Sequence, residues 1–112
     1  MPNVLTATLD QADRKRGDTY PITATLRADG AAFDLTGATV SITMVDAVSR
    51  AAIVSLGACT IVTPAAGTVS YTPSGTEAEG LYDVEFKVVK AAVNYRFPCA
   101  DYTSLRMWPN LA

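Results

Sequence analysis

Residues 80–89, Gly-Leu-Tyr-Asp-Val-Glu-Phe-Lys-Val-Val, constrain the chain more than any other stretch. Tyr82, Val84, Phe86 and Val88 fall on one side of a two-residue repeat, and Leu81, Asp83, Glu85 and Lys87 on the other. Side chains alternate across a strand with that period, so the stretch reads as a long strand with one buried and one wet face. Its polar lead-in, residues 76–80, ends in glycine and suits a tight corner. Asp83, Glu85 and Lys87 carry both signs and read as a cross-strand ion-pair surface that contributes little to stability.

The rest of the chain repeats the pattern in shorter pieces. Residues 3–9 are compatible with a strand or with an extended arm. A charged turn over residues 11–18 follows, in which Arg14-Lys15-Arg16 is flanked by Asp13 and Asp18 and reads as a solvated loop. Residues 20–26 alternate with Tyr20, Ile22, Ala24 and Leu26 inward, and Pro21 fits the first residues of a strand or an edge. Asp29-Gly30 and Thr36-Gly37 are turn signals. Val40, Ile42 and Met44 face the core from a strand over 38–45. Short strands are expected at 52–56 and 59–63, then at 68–72 with Val69 and Tyr71 inward. After Lys90-Ala91-Ala92 a return strand begins at Tyr95-Arg96-Phe97, is interrupted by Pro98, and finishes at 104–108. Seven or eight short strands with Gly/Pro turns, and no helical periodicity, predict an all-β antiparallel sandwich or barrel.

Composition narrows the function. The chain has 112 residues, 49% of them apolar, 18% charged, with a net charge of −2. That is one folded domain with no electrostatic pull toward nucleic acid or an anionic membrane. No apolar run approaches the ~18 residues of a membrane span. The N-terminal residues lack the basic start and apolar block of a secretion signal, so synthesis in the cytoplasm is expected. The sequence contains no histidine, which excludes histidine-based triads and most zinc or iron sites. Cys59 and Cys99 sit among small and apolar residues and read as reduced thiols, with no inter-sheet disulfide.

Asp83 and Glu85 lie ~6.6–7 Å apart along one strand, a spacing that overlaps that of inverting glycosidase carboxylates. A flat sheet face offers no cleft, and surface charge is the preferred reading. Glu77 with Glu79, or Asp13 with Asp18, are oxygen donors for calcium in principle, but no EF-hand spacing is present. Cys99 has no histidine to activate it. The reading is a non-enzyme with no cofactor and no metal. Two surfaces look suited to partners. One is the N-terminal segment with Val4, Leu5 and Leu9, as a first strand or an arm adding to a neighbour's sheet edge. The other is the C-terminal segment with Arg106, Trp108 and Leu111, where an outward Trp108 is an interface anchor.

The corner Glu77-x-x-Gly80-x-Tyr82 resembles the approach to the penultimate strand of immunoglobulin-like domains, where a tyrosine packs inward and bonds back to the corner. Gly80 and Tyr82 are then structural corner residues. Residues 1–17 form the arm or first strand and turn, and residues 18–112 the Ig-like domain. Larger blocks carry a further resemblance: residues 18–22, Phe33-Asp34-Leu35-Thr36-Gly37-Ala38-Thr39-Val40 with Met44, residues 67–73, residues 78–86, and Arg96-Phe97-Pro98 followed by Tyr102. In combination they are similar to the N-terminal domain of the tailed-phage upper baseplate protein family and to related small phage virion proteins. The resemblance covers residues 18–107. It implies a virion structural protein made in the bacterial host and assembled in many copies with other virion proteins. No fibre or coiled-coil region follows the domain, which favours a tail or baseplate adaptor or a capsid-surface decoration. The alternative is an adhesion module for a host-surface glycan, with Trp108, Tyr95 and Tyr102 as stacking residues.

Overall fold

The computed structural model describes residues 4–15, 17–75, 77–98 and 102–109. Among the described residues eleven strands are present: β1 (Leu5–Leu9), β2 (Asp13–Lys15), β3 (Ile22–Ala28), β4 (Ala31–Ala32), β5 (Thr39–Asp46), β6 (Ala52–Ala58), β7 (Thr60–Thr63), β8 (Thr68–Tyr71), β9 (Gly80–Lys90), β10 (Val93–Phe97) and β11 (Thr103–Trp108). They form two sheets. The first runs β1-β3-β8-β7, with β4 beside β3; the second runs β2-β11-β9-β5-β6, with β10 beside β9. This is the strand order of an immunoglobulin-type sandwich, in which the first, second, fifth and fourth strands oppose the seventh, sixth and third.

β9 is the spine of the second sheet. It pairs with β5 from Tyr82 to Val89 on one side, and with β10 and then β11 on the other. Tyr82, Val84, Phe86 and Val88 are all buried, and the residues between them face outward. They meet Val40, Ile42 and Met44 of β5 and Ile22, Ala24, Leu26 and Val69 of the first sheet in one apolar cluster. Phe97, Leu105 and Met107 complete it from the return strand.

The strand count exceeds the expected seven or eight for local reasons. The return strand is two pieces, β10 and β11, separated by residues 98–102. The charged turn contains the three-residue β2, and β4 is a two-residue pair beside β3. One pairing, β2 with β11, is parallel. The chain leaves the first sheet after Leu9 and joins the second at Asp13 without reversing direction, so it cannot meet β11 antiparallel. Of the two readings of the N-terminal segment, arm or first strand, the pairing selects the strand. β1 pairs with β3 over its whole length, from Leu5 opposite Ala28 to Leu9 opposite Ala24. Residues 5–9 are therefore a strand of the domain itself. Tyr20, expected inward, is 42% exposed. β3 begins only at Ile22, after Pro21, so Tyr20 precedes the alternation. The one helical turn among the described residues is a 3-10 turn at Pro64–Ala66. No helix among the described residues is long and apolar enough to cross a membrane.

Candidate functional site

The corner before β9 is built from backbone donors. The buried Glu77 carboxylate accepts hydrogen bonds from the Ser74 amide (3.1 Å), the Ser74 hydroxyl (2.9 Å) and the Gly75 amide (3.1 Å). Burial pushes its pKa up, but those bonds outweigh burial and hold it below the ordinary glutamate value. Three residues after Glu77, Gly80 enters the strand at φ 146°, a conformation side chains rarely adopt. Tyr82 is 1% exposed, and its hydroxyl donates to the Ala78 carbonyl at 2.6 Å. Burial, then the nearby Asp46 and Glu77 carboxylates, raise the Tyr82 pKa. A carboxylate engaged in this way braces the corner. Among the described residues, no cluster of three or more acidic or cysteine side chains is placed to hold a metal ion.

The outer face of β9 is not flat, contrary to expectation. Thr43, Val45, Arg50, Asp83, Glu85 and Tyr102 line a shallow hollow of about 210 Å³. The turn after β5 folds back over that face, and Tyr102 stands at the start of β11. Arg50 pairs with Asp83 and lies 5.4 Å from the Tyr102 ring centroid. Arg96 reaches Glu85 at 3.8 Å. Both carboxylates thus face cations. The Asp46 carboxylate that shapes this turn accepts the Val48 and Ser49 amides at 2.9 Å, which hold its pKa down.

The residues singled out at the two chain ends separate. Val4 is 58% exposed, while Leu5 and Leu9 are buried in the core and cannot contact a partner. They alternate inward from β1, so the same pairing that makes residues 5–9 a strand removes them from the surface. Leu111 lies outside the described residues, as does Cys99. Arg106 and Trp108 face outward from β11, with the Arg106 guanidinium 4.9 Å from the indole. The Trp108 Nε1 donates to Asp13 Oδ1 at 2.9 Å. Tyr95 packs on Phe33 with ring centroids 5.0 Å apart and belongs to the rim of the core. Tyr102 and Trp108 lie at opposite ends of β11, so the three aromatic residues named as glycan-stacking candidates do not form one platform. Cys59 is a free, half-buried thiol, and burial pushes its pKa up to about 12.

The two lateral sides of the sandwich differ. On the β1 side a bond joins the two sheets: the Thr103 hydroxyl of β11 donates to the Ala7 carbonyl of β1 at 3.0 Å. On the opposite side, β6 edges one sheet and β7 the other, each paired along a single flank. The chain passes straight between them at Cys59, whose amide donates to the Val40 carbonyl at 3.0 Å. Ile53, Leu56 and Val62 are exposed there. No charged residue occurs between Arg50 and Glu77, a span that supplies both edge strands. The sequence carried this signal openly, but charge-free length becomes informative only when the topology shows that both strands are edges.

No family model, no curated protein and no solved structure matches the chain.

Proposed function

We propose that this domain is a non-catalytic structural component of a tailed-phage particle, docking on other virion proteins through the β6–β7 side of its sandwich. The observation that carries the reading is the open pair of uncharged edges with Ile53, Leu56 and Val62 exposed. An open edge presents unpaired amides and carbonyls to any passing strand, and proteins normally blunt it with charge, proline or a covering segment. A long edge without charge is suited to strand addition or apolar contact in an assembly. The motif series that resembles the upper baseplate N-terminal domain, together with an immunoglobulin-type strand order, supports a virion setting. The docking role suits a tail or baseplate adaptor or a capsid-surface decoration. It relocates the contact from the chain ends to the opposite side of the domain.

The test is incorporation. Mass spectrometry of purified particles of the encoding phage is expected to find the chain in many copies. A Leu56→Lys, Val62→Lys double variant is expected to fold normally and to be lost from particles. Absence of the wild-type chain, or full incorporation of the charged-edge variant, would overturn the proposal.

A further inference from the structure

Tyr20 and Trp108 come from opposite ends of the chain and line one open hollow of about 480 Å³ with Asp13, Arg14, Lys15 and Asp18. Its volume is in the range of small-ligand sites. Both rings are accessible, Tyr20 at 42% and Trp108 at 45%. Each is also held in place. The Trp108 indole is anchored through Nε1 to Asp13. The Tyr20 ring lies 4.0 Å from the Arg14 guanidinium carbon.

Arg14 is the unusual member. It points inward from β2 and is only 5% exposed. Its Nη2 donates to the backbone carbonyls of Asp18 (3.3 Å) and Tyr20. Among the described residues its Nε has no hydrogen-bond partner and no carboxylate lies within ion-pair distance of it. A buried cation costs free energy unless it is compensated. Here it stiffens the Tyr20 platform and borders both this hollow and a neighbouring one of about 330 Å³.

We propose that this hollow binds a neutral saccharide. A pyranose has an apolar C–H face that stacks on an aromatic ring, and a rim of hydroxyls that both donate and accept. The hollow matches both halves: two fixed aromatic rings, and two carboxylates opposed by two cations. A phosphate or sulfate would meet Asp13 and Asp18, and a cationic ligand would meet Arg14 and Lys15. A balanced set of acceptors and donors selects polyol hydroxyls instead. The inference stands apart from the docking role, since the hollow lies against β2 and β11 and the docking edges are β6 and β7.

Trp108 is the sole tryptophan of the chain, so intrinsic fluorescence reports on this site alone. The experiment titrates the full chain with glucose, galactose, rhamnose and N-acetylglucosamine and their short oligomers. The expected result is a saturable change in emission with at least one of these sugars. Tyr20→Ala and, separately, Asp18→Asn should each weaken that binding at least tenfold with an unchanged circular dichroism spectrum. Should Tyr20→Ala unfold, Asp18→Asn and Lys15→Ala carry the test. No emission change with any of these sugars at millimolar concentrations, the weak end of the affinity scale, binding untouched by the variants that fold, or a response to inorganic phosphate alone, would overturn the proposal.

Discussion

Glu77 is a buried carboxylate whose partners are all donors from its own corner, and its pKa is held below the usual 4.5. Asp34, which accepts the Thr36 hydroxyl at 2.7 Å, and Asp46 are likewise held down. A carboxylate with a folded-state pKa below its unfolded value stabilises the fold at higher pH, and that stability is lost as pH falls through the folded pKa. The melting temperature is therefore expected to be flat from pH 7 to 5 and to drop below about pH 4.5, and Glu77→Gln should flatten part of that drop. A melting temperature that rises on acidification would contradict the assignment. Tyr82→Phe, which removes only the bond to Ala78, should cost about 1 kcal/mol, and Tyr82→Ala about 3–5 kcal/mol, both read from urea unfolding. Gly67 is a third test, because its φ is 70° and an added Cβ would stand 2.4 Å from the Leu26 carbonyl oxygen. Gly67→Ala should cost more than about 2 kcal/mol.

At the scale of elements, the β9–β10 turn places both Ala91 and Ala92 in the left-handed region, at φ 52° and 63°. A two-residue hairpin of this hand favours Asn-Gly, and alanine is disfavoured there by roughly 1–2 kcal/mol per residue. Replacing Ala91-Ala92 by Asn-Gly is expected to stabilise the domain by about 1 kcal/mol, seen as a higher urea midpoint; a lower midpoint would contradict the turn geometry. Removing residues 1–9 should unfold the isolated domain, because Leu5 and Leu9 leave the core with β1; a folded truncate by circular dichroism would make them a dispensable arm. The strands with one dry face, β3, β5 and β9, were legible because period-two alternation survives wherever a core is present. The hairpin at Ala91-Ala92 was visible only as a gap, since nothing in its sequence names a turn. Arg14 was the least legible: a charged residue in a charged turn reads as solvated, and only the parallel pairing of β2 with β11 turns it inward. The site around it needs Tyr20 and Trp108, 88 positions apart in sequence, and no local pattern joins them.

The whole molecule is a sandwich whose sheets are bonded through Thr103 and Ala7 on one side and end in the edges β6 and β7 on the other. Its bonded side carries β1 and the saccharide hollow beside β2. Its open side carries two uncharged edges suited to assembly. Imaging of purified particles at a resolution that places individual domains tests this most directly. Repeated density for this sandwich is expected on the head lattice or the tail, with the β6–β7 side against a neighbouring protein. Density with that side facing solvent, or none at all, would contradict it.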